Sequence, residues 1–279
     1  MACFEKDPAE RNSTIPVGTA ARPAALLSST PFCGGPMRPA FITCVILLLF
    51  SSTETFAEDF EKTEYKADSG RTLQYALLKP QKVESGKKYP LLLSLHGAGG
   101  RGNKRWERNC FANKVLSGGE MRSKYPCFIL APTVSKQSSW KSESMDDVLG
   151  LVGKLLKKLP VDPDRVYVTG QSMGGGGTYE ALARKPGLFA AGVPVCGGNK
   201  VENAKKMAAI PIWAFHGEKD RVVHVDRGRA MIEAIKKAGG KPRYSELPGV
   251  GHNSWTPAYK NQEMWKWLFS QKRAKTKSS

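Results

Sequence analysis

Arg165-Val-Tyr-Val-Thr-Gly-Gln-Ser-Met-Gly-Gly-Gly-Gly-Thr178 is the stretch on which the fold of this chain turns. Val166–Thr169 is a short apolar, β-branched run suited to a strand, and the pattern from Met173 onward suits a helix. Between them, Gly170-Gln-Ser-Met-Gly174 sets a serine on a sharp strand-to-helix turn, the G-x-S-x-G pattern of a nucleophile elbow. Such a turn needs glycine two residues before and two after the serine, because both positions press against neighbouring backbone. It also places Ser172 at a helix N-terminus, where free N–H groups and the helix dipole favour negative charge. The pattern also arises by chance in glycine-rich chains, as a plain connection between a buried strand and a closely packed helix. The catalytic reading therefore requires a base, an acid and an oxyanion hole at the appropriate strand ends.

Composition sets the outer bounds. The 279 residues are 41% hydrophobic, 24% charged and 9% aromatic, enough for one substantial α/β domain with a large core. A net charge of +18 and a pI near 9.7 attract polyanions or anionic membrane surfaces, but charge alone names no partner, and a solvated basic surface is the favoured reading. The Lys and Arg residues are spread along the whole chain without an aromatic-interleaved basic motif, so a nucleic-acid partner is not expected.

Residues 1–36 are rich in Pro, Ala, Ser and Thr without periodicity, and read as a disordered leader or an upstream start. Met37-Arg-Pro-Ala, the apolar run Phe41–Phe50, and Thr55 and Ala57 ahead of Glu58-Asp59 follow the layout of a secretory signal peptide. The expected organisation is a signal peptide at 37–57 and a catalytic domain at 58–279, secreted or periplasmic. An apolar run of this length covers about half of a bilayer, so no permanent membrane anchor is expected. The domain keeps Cys110, Cys127 and Cys196. An odd count leaves at least one thiol unpaired, and an exported compartment permits a disulfide, with Cys110–Cys127 the first pair to test. No cysteine or histidine spacing resembles a zinc site, and neither metal nor organic cofactor is expected.

Along the domain, Glu64–Ala67 and Arg71–Leu78 flank the turn signature Asp68-Ser-Gly and predict a hairpin. Tyr89–Leu95 is continuously apolar, as in a parallel strand covered on both faces. Trp106–Leu116 predicts a helix and Pro126–Leu130 a buried strand. Ser144-Met-Asp-Asp147 resembles a capping box, and Val148, Leu151, Val152, Leu155 and Leu159 follow at helical spacing up to Pro160. Strands are predicted at Ala191–Val195, Pro211–Phe215 and Arg243–Leu247, helices at Ala230–Ala238 and Gln262–Gln271, and a frayed basic tail from Lys272. Strands alternating with helices imply an α/β fold with a mainly parallel central sheet and helices on both faces.

Four histidines compete for the role of base. His252 lies in Gly249-Val-Gly-His-Asn-Ser-Trp255, a glycine-flanked loop with little to pack a structural histidine. His96, His216 and His224 sit in less open contexts. Asp220 leads as the acid that orients the base, with Glu218 and Asp226 as rivals and Asp226 also suited to capping a helix. The order Ser172, Asp220, His252 is that of the α/β-hydrolase arrangement. One oxyanion donor is expected from the Met173 N–H. The other is expected from the His96-Gly-Ala-Gly-Gly loop, with Ala98 first and Gly97 or Gly99 as alternatives.

Ser-Leu-His-Gly-Ala-Gly-Gly-Arg-Gly (94–102), Val-Thr-Gly-Gln-Ser-Met-Gly-Gly (168–175), Trp-Ala-Phe-His-Gly-Glu-Lys-Asp (213–220) and Pro-Gly-Val-Gly-His-Asn-Ser-Trp (248–255) together resemble a secreted α/β-hydrolase. The resemblance is to the esterase branch labelled "predicted peptidase" or phospholipase/carboxylesterase, akin to polyhydroxybutyrate depolymerases and feruloyl esterases. It spans nearly all of 58–279 and implies Ser172 as nucleophile, Asp220 as acid and His252 as base. Two positions depart from it: many relatives carry Glu where Gly100 stands, and a large residue where Gly176 stands. The reading is a serine carboxylesterase acting on polysaccharide-linked or aromatic acyl esters. A serine peptidase with the same triad is the second reading, and a non-catalytic polyanion-binding surface protein the third. About fifteen residues separate Val195 from Pro211, too few for a cap domain, so an open cleft suited to polymer-linked esters is expected. Trp140 and Trp255 are the candidate substrate-binding walls, and either suits a core or rim position equally well.

Overall fold

The computed structural model describes residues 60–273. The expected leader (1–36) and signal segment (37–57) lie outside the described residues, as does most of the tail. No described helix is long and apolar enough to cross a membrane.

In chain order, the strands are β1 (Glu61–Lys66), β2 (Thr72–Leu78), β3 (Tyr89–Leu95), β4 (Phe128–Pro132), β5 (Val161–Gln171), β6 (Ala191–Val195), β7 (Trp213–Gly217) and β8 (Arg243–Leu247). The helices are α1 (Phe111–Ser117), α2 (Gly119–Lys124), α3 (Ser144–Lys158), α4 (Met173–Arg184), α5 (Ala204–Met207), α6 (Val225–Lys237), α7 (Trp255–Lys260) and α8 (Gln262–Ser270). One eight-stranded sheet runs in the order β1-β2-β4-β3-β5-β6-β7-β8. The β1–β2 and β2–β4 pairings are antiparallel and the others parallel.

The apolar run of β3 has a direct physical reading. Successive side chains of a strand point to opposite faces, so a strand clad on both sides needs apolar residues at every position. Leu91, Leu93 and Leu95 join a core layer with residues of α3, α4 and α6, while Leu92 joins the opposite layer with residues of α1, α7 and α8. In β5, Val166 and Val168 face the first layer and Tyr167 the second. The helices thus cover both faces of a mainly parallel sheet. Because all strands from β3 to β8 point the same way, the loops that follow them gather at one edge, where sites in such sheets form.

Some local expectations shift. The helix predicted from Trp106 divides: Trp106–Asn109 is a 3-10 turn, Cys110 is extended (φ −128°, ψ 117°), and α1 starts at Phe111. The interruption has a use, since the Asn109 carbonyl accepts the Gly97 N–H at 3.3 Å. The capping-box reading of Ser144 fails. Its hydroxyl bonds Ser138 Oγ at 3.1 Å, and no side chain caps α3. Helix α6 begins five residues earlier than Ala230, its first turn hidden by polar residues and Gly228. Helix α7, short and containing Pro257, carries too little periodicity to be predicted. Arg273 is anchored, donating its N–H to the Asp164 carbonyl at 2.9 Å, so fraying does not begin at Lys272. Cys110, Cys127 and Cys196 are all buried free thiols, so the pair Cys110 and Cys127 is not bridged.

Truncating Leu92, fully buried between the sheet and the α1/α8 layer, removes packing that no neighbour can restore. Leu92→Ala is expected to lower unfolding free energy by about 2–5 kcal/mol, read from urea denaturation midpoints at constant m.

Candidate active site

Ser172 stands between β5 and α4 with φ 55° and ψ −116°, a conformation that side chains other than glycine rarely adopt. Its amide is held by the Val195 carbonyl at 2.9 Å, and its own carbonyl accepts the Gly176 N–H at 3.1 Å. The flanking glycines follow from contact. A Cβ on Gly170 would strike the Gly174 carbonyl, and one on Gly174 would strike the Leu95 carbonyl. Strand β3 and the elbow approach too closely for any side chain there, and this closeness forces the serine outward.

His252, on the loop after β8, completes the contact. Its Nε2 accepts from Ser172 Oγ at 2.9 Å, and its Nδ1–H donates to Asp220 Oδ2 at 2.8 Å. Three loops after three different strands, spanning 80 residues, converge on one continuous hydrogen-bonded line. Asp220 is 2% exposed, whereas Ser172 and His252 are half-buried. Burial by itself would raise the Asp220 carboxyl. Hydrogen bonds from His252 and from the Val223 and Val222 amides, both at 2.9 Å to Oδ1, outweigh it and hold the group below the usual carboxylate range. An ionised, water-excluded carboxylate keeps the Nδ1–H tautomer and favours imidazolium when the ring takes a proton.

The rival groups are engaged elsewhere. Glu218 accepts the Gly249 N–H at 2.7 Å, and Asp226 pairs with Arg229 at 2.8 Å. His224 lies exposed at the start of α6. His216 donates from Nε2 to the Val223 carbonyl at 2.8 Å and lies 3.3 Å from Asp220 Oδ2, so it braces the loop that carries the acid.

Among the loop amides, the Gly97 N–H is consumed by Asn109, which removes Gly97 as a donor. Ala98 opens the 3-10 turn Ala98–Gly100, and Met173 opens α4. First-turn amides have no acceptor within their own helix. The loop is held from beneath by two residues whose support was not legible in the sequence. His96 is buried and donates from Nδ1 to the Gly97 carbonyl at 2.7 Å, while Trp140 donates to the His96 carbonyl at 2.8 Å. Trp140 is fully buried, lies beneath Gly177 and stacks obliquely on His96. This corrects its assignment as a substrate-binding wall, since no surface remains for a ligand. Trp255 is half-buried, with its ring edge-on to His252 at 5.3 Å between centroids. The departure at Gly100 belongs to this loop as well, because a Cβ there would lie 2.5 Å from His96 Nδ1.

Cys196 is an unanticipated neighbour. It too has positive φ (40°), and its sulfur, one Asp220 oxygen and one His252 nitrogen lie within 4.8 Å of one another. Burial pushes its thiol up to about 12, so it stays protonated. Both His252 nitrogens are already committed, and this trio does not suit a metal ion.

A scan against protein families matches residues 111–266 to the phospholipase/carboxylesterase family. The chain belongs to that family and has the α/β-hydrolase fold. It is 26% identical over 215 residues to a bifunctional acetylxylan esterase/xylanase of Neocallimastix patriciarum, covering 71% of this chain and 30% of that protein. It is 26% identical over 187 residues to an Aspergillus flavus protein described as a probable feruloyl esterase C, covering 65% of this chain and 67% of that one. The crystal structure of a thermostable esterase superposes with a TM-score of 0.72 at 36% identity, covering 77% of this chain and 64% of that chain. The chain spans from a quarter to about a half of the length of the first curated relatives it matches.

Burial holds the His96 ring neutral, lowering it to about 4 from an ordinary 6.5 even though the Gly97 carbonyl partly offsets the shift. The unfolded chain therefore binds a proton in that window that the folded chain does not. Stability is expected to fall as pH drops from about 6.5 towards 4, separately from the loss below about 4 that follows Asp220. Denaturation midpoints measured against pH check this, with the first slope absent in His96→Gln.

Proposed function

We propose that this member of the phospholipase/carboxylesterase family is an exported serine carboxylesterase that hydrolyses acyl esters through an acyl-enzyme. The observation that carries the reading is the unbroken line from Ser172 Oγ to His252 to buried, ionised Asp220, at 2.9 and 2.8 Å. The apolar run at 41–50 and its flanks support export.

In the acylation step Ser172 Oγ bonds to the ester carbonyl carbon while its proton passes to His252 Nε2. The carbonyl oxygen becomes an oxyanion facing the Met173 and Ala98 amides. The carbon–alkoxide bond then breaks, and His252 returns the proton to the departing alcohol. Water attacks the acyl-serine, giving its proton to His252, and the carboxylic acid leaves as Oγ is reprotonated. Asp220 stays ionised throughout and stabilises the imidazolium formed in each half.

The connection from β6 to β7 holds only a 3-10 turn (Val201–Asn203) and the one-turn helix α5, so among the described residues it supplies no cap over the site. A half-exposed serine in an open cleft suits esters borne on polymers or aromatic acids, in keeping with the acetylxylan esterase and feruloyl esterase names of the relatives. The edge-on packing of Trp255 against His252 supports Trp255 as the aromatic contact for such a substrate.

A fluorophosphonate probe is expected to label the folded protein at Ser172 and not the Ser172→Ala variant, whose kcat on 4-nitrophenyl acetate falls by at least about 10⁴-fold. An unlabelled folded sample overturns the reading, as does peptide cleavage without ester turnover.

Because Ala98 opens a 3-10 turn, proline is tolerated there and deletes only the N–H. Ala98→Pro is expected to lower kcat by about 10²–10³-fold with an unchanged Tm. An unchanged kcat would move the second oxyanion donor to Gly99.

A further inference from the structure

The basic charge has a particular arrangement near the nucleophile. Residues 1–57 hold four basic (Lys6, Arg11, Arg22, Arg38) and four acidic (Glu5, Asp7, Glu10, Glu54) residues, so the net +18 belongs to residues 58–279. Three exposed cations from three different loops or helices meet around Gly176, one helical turn along α4 from Ser172. A Cβ on Gly176 would lie 3.2 Å from Lys141 Cε, so the lysine chain fills the space that a large side chain would otherwise take. The same Cβ would lie 3.0 Å from the Gly198 carbonyl, and a Cβ on Gly198 would lie 2.9 Å from Arg227 Cβ. Asn199 Nδ2 donates to the Gly176 carbonyl at 3.3 Å, and its Oδ1 takes the Lys200 N–H at 2.6 Å.

None of Lys141, Lys200 and Arg227 forms an ion pair with a described carboxylate. A neighbouring acid, Glu180, is held by other partners: Oε1 accepts from Arg184 at 2.8 Å and Oε2 from Asn199 at 2.9 Å. Glu202 lines the neighbouring groove beside Lys205 and Lys237. Desolvation lowers the Lys141 ammonium; Glu180 opposes that shift, and Arg227 and Lys200 add smaller contributions to it. With Glu180 already held by Arg184 and Asn199, the gathered like charges keep an excess of positive charge that an anionic ligand would offset.

We propose that Lys141, Lys200 and Arg227 form an anion-binding rim beside Ser172, and that the hydrolysed ester is borne on an acidic polysaccharide whose carboxylate or sulfate groups the rim engages. The hydrolytic half rests on the esterase reading, whereas the binding half rests on the rim alone. Three cations spread over separate elements match a chain of repeating anions better than a single charged group. An uncapped cleft admits such a chain, and the excess positive charge draws it in from a distance.

The test uses the Ser172→Ala protein, so that binding is read without turnover. Probes are homogalacturonan (carboxylate), ι-carrageenan (sulfate), neutral arabinoxylan and phosphatidylglycerol vesicles. Binding is expected to one of the two acidic polymers and not to arabinoxylan, and which polymer binds identifies the anion. Adding Lys141→Gln, Lys200→Gln and Arg227→Gln should weaken binding at least about tenfold. A charge-matched control at the opposite strand ends, Lys82→Gln, Lys157→Gln and Lys158→Gln, should change it less than about twofold. Equal weakening by both triples, no effect of the rim triple, or preference for vesicles overturns the rim. In the active protein, the ratio of kcat/KM for acetylated homogalacturonan, or acetylated carrageenan, over acetylated xylan should drop at least about tenfold only in the rim triple. Binding without turnover of any ester would overturn the hydrolytic half and leave the rim standing.

Discussion

The approach of the elbow to strand β3 is the contact on which the site depends. With the Gly174 backbone against the Leu95 carbonyl and Gly170 against Gly174, no Cβ fits at either position, and the chain between them must turn sharply. Ser172 absorbs that turn in a positive-φ conformation, a strain of about 1–3 kcal/mol that only a rigid surround sustains. The surround is the doubly clad centre of the sheet, where β3 and β5 pair from Leu91–Val166 through to Leu95–Gly170. Apolar cladding on both faces thus has a chemical consequence, since it supplies the stiffness that holds a half-buried serine against the imidazole.

Around this point the protein divides its polar groups by solvent access. Asp220 is dry and fully hydrogen-bonded, which keeps it ionised and directional, while Ser172 and His252 stay half-open to a substrate. The two buried histidines serve as braces: His96 under the Gly97–Gly100 loop and His216 behind the Asp220 loop. Gly100 and Gly176, the two departures from the family pattern, become intelligible together. One makes room for the His96 ring and the other for the Lys141 chain, so each absent side chain is replaced by a residue arriving from elsewhere.

The elements that were legible are those whose burial shows as pattern. The continuous apolar run of β3, the strands at Ala191–Val195 and Arg243–Leu247, and the helical spacing of α3 announce themselves because the core demands them residue by residue. Ser172, Asp220 and His252 could be singled out from their glycine-flanked strand-end contexts. The short pieces carry no such pattern: the break at Cys110 goes with the bond from distant Gly97 to Asn109, the start of α3 with a hydroxyl bond to Ser138 six residues back, and α7 is too short for periodicity. Trp140 was misread for the same reason, since a loop tryptophan gives no local sign that it will be drawn beneath its neighbours.

By itself, the sequence determined an α/β fold, the existence of an elbow, and a strongly basic domain, because periodicity, glycine spacing and net charge are properties of the chain. Tertiary structure alone decided which amides stay open beside the serine, which histidine braces and which contacts Ser172, and where three cations gather without an ion pair to a described carboxylate. Those are distances between residues far apart in the chain, set by how the strand-end loops pack, and no local pattern encodes them.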